Sequence, residues 1–277
     1  VELDGEQLDI EANNVILATG SSHIDLPFMP CDEELILSST GALDLQELPK
    51  TAAIVGGGYI GLELGCALAK LGTKVTVIEG MGDVLAMMDK EIRRPLEIWL
   101  KKHGVKIYRN ALARGAERIE SGEEGEIRLK YEMDGENHSI DVDRILVTVG
   151  RRANLSGWGL EETGVRLGPD GRFIRTDRKC RTNIPGVYAI GDVAGEPMLA
   201  HKASAEGEMV AEIISGLERE FDNVAIPAIV FTEPEIVSVG LDPDSARERG
   251  EDIITGKFPL AANGRALTLE AEKTAGF

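Results

Sequence analysis

"AAIVGGGYIGLELGCALAKLGTKVTVIE", residues 52–79, passes from an apolar run into Gly56-x-Gly58-x-x-Gly61, then an apolar helical stretch, then a second apolar run ending at Glu79. This order of strand, glycine turn, helix and strand is that of a parallel β-α-β unit carrying a dinucleotide fingerprint. Each glycine has its own physical task. Gly56 permits the tight turn out of the strand, Gly58 removes the side chain that would block a pyrophosphate, and Gly61 lets helix and strand pack closely. Gly57, Tyr59 and Ile60 complete the loop and the first helical turn, whose N–H groups and partial positive charge face an anion. Glu79 can accept hydrogen bonds from an adenine ribose and would repel a 2′-phosphate, which selects NAD over NADP. The following "GMGDVL" holds no arginine to reverse that selection. Cys66, inside the helix, reads as a small packed core residue.

Outward from this unit the chain stays legible. Residues 88–104, "MDKEIRRPLEIWLKKHG", predict an amphipathic helix closed by Gly104, with Pro95 marking a kink or break, and "VKIY" follows as a strand. "EIRLKYEM" and "HSIDVD" read as strands separated by the turn signal "DGEN", a meander inserted before the last strand of the unit, "RILVTVG" at 144–150. Two similar apolar strands flank this block: "NNVILATGS" at 13–21 and "TNIPGVYAIGD" at 182–192. They read as parts of one further sheet interrupted by an inserted domain. Asp192 stands just beyond the second strand, where ligands of open α/β sheets sit, or it caps the turn and helix that follow.

At 277 residues and 43% hydrophobic content, the chain is long enough for about two domains with a sizeable core. Its net charge of −18 argues against nucleic acid or anionic membranes as partners. Only 12 of the 30 basic residues are lysine, which fits either an ordinary acidic surface or one suited to a high-salt cytoplasm. No run has the apolar length of a membrane span, and "VELDGEQLDIEANN" lacks the features of a signal peptide, so a cytoplasmic location is expected. Cys31, Cys66 and Cys180 show no redox-pair or zinc spacing, and His23, His103, His138 and His201 are equally scattered; no metal site is expected.

Taken together, "NNVILATGS", "STGALDLQELPK", "GGGYIGLELG", "ILVTVGRRAN", "YAIGDVAGEPMLAHKA", "VFTEPEIVSVG" and "KFPLAANGRAL" resemble the pyridine nucleotide-disulfide oxidoreductase family over essentially the whole chain. "PMLAHKASAEG" and "FPLAANGRA" lean toward its lipoamide branch. The resemblance implies an α/β fold: a Rossmann-like NAD domain inserted in a partial FAD domain, followed by the start of an α+β dimerisation domain. The implied boundaries are 1–48 and 151–222 for the FAD domain, 49–150 for the NAD domain and 223–277 for the interface domain. FAD and NAD are the implied cofactors. Asp192 matches an acid that binds a ribityl hydroxyl of FAD, and Met198, Leu199, Ala200 and His201 match a segment lying against the flavin ring. A helix starting near Ala200 would aim its N-terminal dipole at the flavin. His201 contributes backbone there, rather than acting as acid or base.

Further matches follow residue by residue. Thr19, Gly20 and Ser21 match a motif close to FAD, and Gly150 a backbone position near NAD. Tyr59 either covers the nicotinamide pocket or only packs there. Glu63 matches an acid that pairs with a lysine beside the flavin in relatives, and that lysine does not occur here. The family's Cys-x-x-x-x-Cys redox pair and His-x-x-x-x-Glu base are likewise not found in these 277 residues. The expectation is therefore a chain that opens partway through the FAD domain, stops inside the dimerisation domain at "TAGF", and does not turn over lipoamide alone. The intact protein implied is a homodimer that passes electrons from dihydrolipoamide through a disulfide and FAD to NAD, serving the lipoyl domains of a 2-oxoacid dehydrogenase complex. Two other readings remain: an NAD-binding module without catalysis, and a related NADH oxidase or disulfide reductase.

Overall fold

Two apolar runs of the opening stretch form neighbouring parallel strands, and the rest of their sheet assembles around them. The computed structural model describes residues 2–3, 6–7, 9–122 and 125–268. They fall in two compact units, one within residues 1–22 and 151–226, the other within 23–150 and 227–277.

In the unit of residues 23–150 and 227–277, the elements that build its two larger sheets and their covering helices are, in chain order, β1 (Ile36–Leu37), β2 (Thr51–Val55), α1 (Tyr59–Leu71), β3 (Lys74–Ile78), α2 (Lys90–Lys102), β4 (Lys106–Tyr108), β5 (Ala111–Gly122), β6 (Gly125–Met133), β7 (Glu136–Val142) and β8 (Arg144–Val147). A five-stranded parallel sheet runs β1-β8-β2-β3-β4. Apart from Thr51, Lys74, Thr76, Lys106 and Arg144 its strands are apolar, because both faces are covered. Ala52, Ile54, Val75, Val77 and Leu146 pack against Leu62 and Cys66 of α1 and Leu96, Trp99 and Leu100 of α2. The alternate residues Ala53, Val55, Ile78, Ile145 and Val147 pack against Ile127, Leu129, Tyr131 and Val142 of the meander. Pro95 lies within α2, which runs on through it from the Asp89 N-cap, so the helix does not break there.

The expected meander is present as an antiparallel sheet of β5, β6 and β7. Asp134 (φ 54°) and Gly135 (φ 79°) both take left-handed conformations, as the two central residues of a type I′ hairpin turn must. The 12-residue β5 went unread in the sequence. It mixes charged residues with small ones, and a register shift opposite Lys130 and Tyr131 interrupts its alternation.

Residues 23–48 pack differently from the expectation that grouped 1–48 together. Ile36–Leu37 pairs with β8 and supplies an outer strand of the parallel sheet, so this segment joins the unit that holds that sheet. Residues beyond 226 join the same unit. Ala228–Val230 pairs antiparallel with Ile236–Ser238, and Val230 and Ile236 enter the core that holds α1. The "TAGF" end of the expected interface domain lies outside the described residues.

In the other unit the two flanking strands meet as their similarity implied. Val15–Leu17 pairs in parallel with Val187–Ala189, while Ser21–His23 pairs with Arg151–Ala153. Helix α3 (Ala200–Ile214) buries Met209, Val210 and Ile213 against Cys180 and Tyr188.

Helix and sheet approach closely at Gly61, where an added Cβ would stand 2.5 Å from Thr148 Oγ1 and inside contact with the Gly56 carbonyl. That carbonyl is backbone and cannot yield without opening the turn. Gly61→Ala is expected to lower stability by about 1–3 kcal/mol, the usual cost of overpacking, read as a fall in the urea unfolding midpoint.

Candidate functional site

The first constellation lies at the carboxyl end of the parallel sheet. Gly56 leaves β2 with φ 106°, and its missing side chain lets the Thr148 carbonyl oxygen come within 2.6 Å of where a Cβ would be. Thr148 Oγ1 donates to the carbonyls of Val55 (3.1 Å) and Gly56 (3.0 Å), tying the turn to the end of β8. Gly58 is the N-cap of α1. No side chain caps this helix and no acid lies in its first turn. A Cβ built at Gly58 meets no atom within 4 Å. The helix N-terminus thus presents N–H donors and a partial positive charge to open space, an arrangement suited to a phosphate.

Glu79 closes the other side of the loop. The residue is 9% exposed, and its carboxylate accepts from the N–H groups of Gly57 (2.5 Å) and Met81 (2.6 Å). Those two bonds use about half of a carboxylate's acceptor capacity, leaving room for further donors. Gly57 must be small for this latch: a Cβ there would meet Val84 Cγ1 at 2.7 Å and Glu79 Oε2 at 3.0 Å. Tyr59, 39% exposed, and half-buried Ile60 occupy the first turn of α1. Gly150 (φ 132°) lies three residues beyond β8 and accepts from Ile24 N–H at 3.1 Å. Glu63 is the outlier. Its Oε1 accepts from Phe231 N–H at 2.8 Å, which ties α1 to the segment after residue 226.

The second constellation belongs to the other unit and centres on Asp192, in a short 3₁₀ turn (Gly191–Val193) just past Val187–Ala189. Ser21 Oγ donates to Asp192 Oδ2 at 2.5 Å. Arg151 in turn donates through Nε to Ser21 Oγ (2.7 Å) and through Nη2 to the Ser21 carbonyl (2.6 Å). Thr19 and Gly20 are held by Asn154: its Nδ2 donates to the Thr19 carbonyl at 2.8 Å, and its N–H to the Gly20 carbonyl at 3.0 Å. Asp192 does not cap α3. Leu199 occupies the N-cap with no side-chain bond, so that N-terminus is also uncapped. Met198 and Leu199 are half-buried beside it, whereas Ala200 and His201 are exposed.

Residues 1–207 match the family described as pyridine nucleotide-disulphide oxidoreductase, and residues 226–277 match the dimerisation domain of that same description. The chain belongs to the pyridine nucleotide-disulphide oxidoreductase family. Among its relatives, dihydrolipoyl dehydrogenase of Geobacillus stearothermophilus is 49% identical over 256 residues, covering 92% of this chain and 53% of the relative. The Bacillus subtilis dihydrolipoyl dehydrogenase is 46% identical over 265 residues, covering 95% and 55%. The crystal structure of LpdA from Mycobacterium tuberculosis superposes with a TM-score of 0.85 at 34% identity, covering 96% of this chain and 57% of that one. The chain spans about half the length of the curated relatives it matches.

Within this family member, none of the three thiols has the character of a redox nucleophile. Burial pushes Cys66 up to about 11 and Cys31 and Cys180 up to about 12, and all three are free. No helix among the described residues is long and apolar enough to cross a membrane.

Four residues that position the second constellation escaped sequence reasoning: Arg151, Asn154, Lys202 and Glu206. The last two form a buried ion pair at 2.9 Å, each 6% exposed. Glu206 Oε2 accepts from Gly191 N–H at 2.7 Å, and Lys202 Nζ donates to the carbonyls of Gly191 (3.4 Å) and Gly195 (3.3 Å). The pair therefore clamps both sides of the Asp192 turn. Its one sequence signal is the i, i+4 spacing, which exposed pairs share.

Breaking one partner strands a buried charge. Glu206→Leu alone is expected to cost about 3–5 kcal/mol, while Lys202→Met with Glu206→Leu recovers part of that loss. Urea denaturation of the two variants against the unchanged protein checks this, and a double variant no better than the single one would show that the pair is not the clamp.

Proposed function

We propose that this chain carries the NAD site and part of the FAD site of a dihydrolipoyl dehydrogenase, which oxidises dihydrolipoamide to lipoamide while NAD+ becomes NADH with release of a proton. The observation that carries the reading is the first constellation: an uncapped helix N-terminus, open space over Gly58, and Glu79 latched beside it. These residues fit a dinucleotide. The backbone of Gly57, Gly58, Tyr59 and Ile60 would cradle the pyrophosphate, Glu79 would take the ribose hydroxyls and repel a 2′-phosphate, and Gly61 holds the helix in position. Tyr59 and Gly150 would border the nicotinamide end.

The second constellation fits FAD. Asp192 would accept from a ribityl hydroxyl, with Ser21, Thr19 and Gly20 fixing its surroundings. The start of α3, with Met198, Leu199, Ala200 and His201, would present its positive dipole to the flavin, favouring negative charge there. When bound, FAD supplies the two-electron carrier between a dithiol and a nicotinamide. The match to a dimerisation domain supports a homodimer, and the relatives' name supports the lipoyl domains of 2-oxoacid dehydrogenase complexes as partners. A cytoplasmic location suits three free thiols.

The first test uses Gly58→Ala. Its φ of −75° and the open space around it predict unchanged stability, whereas a methyl over the cradle should weaken NADH binding at least tenfold. Fluorescence titration reads the affinity and thermal melting reads the stability; unchanged affinity refutes the assignment. In the same titration the unchanged protein should bind NADH at least tenfold more tightly than NADPH. Dihydrolipoamide-dependent NADH formation by the full-length protein tests the substrate.

A further inference from the structure

Outside both constellations, the loop after Ser21–His23 gathers three chemically different ligand types. His23, Cys31 and Glu33 each offer one ligand atom, and these atoms lie within 4.8 Å of one another. A tetrahedral zinc site, with bonds of about 2.0–2.3 Å, needs ligand atoms about 3.3–3.8 Å apart, so a contraction of about 1 Å would close it. Asp25 supports the group. Its Oδ1 stands 3.4 Å from His23 Nε2 and accepts from Cys31 N–H at 3.0 Å, placing a carboxylate beside the imidazole as the outer shell of metal sites does.

Hydrogen bonds within the loop fix these positions. Asp32 Oδ1 accepts from the N–H groups of Glu34, Leu35 and Ile36 at 2.8–2.9 Å, fixing the chain just after Cys31. Glu33 Oε2 accepts from Ser38 N–H at 3.0 Å, which anchors its carboxylate. Met29, 1% exposed, pins the loop into the core beneath the meander.

We propose that His23, Cys31 and Glu33 form a binding site for a divalent transition-metal ion of the zinc class, structural in role and clipping the loop of residues 23–33. The mixed nitrogen, sulfur and oxygen ligands select such an ion over calcium or magnesium, which take oxygen alone. On binding, the thiol proton of Cys31 passes to solvent and a sulfur–metal bond forms; no electron is transferred. Neither the dinucleotide nor the flavin reading uses these residues.

The test is a cobalt(II) titration of the tag-free, EDTA-treated protein, followed by the near-ultraviolet thiolate-to-cobalt absorption and then by displacement with zinc. One equivalent is expected to produce the band, and Cys31→Ser to abolish it. By calorimetry, Cys31→Ser and His23→Gln should each weaken zinc binding at least tenfold. In the unchanged protein, zinc should slow alkylation of Cys31 at least tenfold, read by peptide mass spectrometry, with EDTA restoring the rate. A folded protein that gives no thiolate band, or Cys31 alkylation that ignores zinc, overturns the site; the alkylation result decides alone if the variants do not fold.

Discussion

The contact between α1 and β2, with no side chain between them at Gly61, sets the geometry on which the parallel sheet and its loop depend. Gly61 brings the helix against the Gly56 carbonyl and Thr148, while Gly65 brings the next turns against Ile54. Thr148 then hydrogen-bonds back to the turn, so the end of β8 is drawn to the end of β2. The same approach orients the helix N-terminus outward from the strand ends. Close packing and an outward-facing helix N-terminus are thus two results of one steric fact, the absence of a methyl group.

The constellation around Asp192 is held by another kind of force. Its turns are placed by polar contacts: Arg151 to Ser21 to Asp192 on one side, Lys202 and Glu206 on the other. Such a network is satisfied only as a whole, because each buried charge depends on its partner. The apolar layer beneath is thin by comparison, with Leu17, Ala189 and Val193 packed around Ile174 and Leu160. Polar geometry, more than packing, therefore sets where Asp192 stands.

Legibility in the sequence followed the range of the interactions. The β-α-β unit was readable because its glycine spacing and apolar runs encode local backbone geometry, and "DGEN" marked its hairpin for the same reason. The two-residue strand Ile36–Leu37 has no periodicity to read, so nothing local announces its pairing with β8. Glu63 meets Phe231 across 168 residues and Ser21 meets Asp192 across 171. No local pattern announces either. Lys202 and Glu206 show the remaining limit: helical spacing makes a pair visible but does not tell a buried one from a solvated one.

Glu79 joins two tasks that a protein engineer would wish to separate. Its carboxylate holds the Gly57 and Met81 amides, so the group that would read the ribose also braces the loop beneath it. Exchanging this one residue to admit a phosphorylated ribose would release both amides and loosen the cradle while changing its preference. Redirecting cofactor choice here is a matter of transplanting a whole loop, with a new brace supplied alongside the new recognition group.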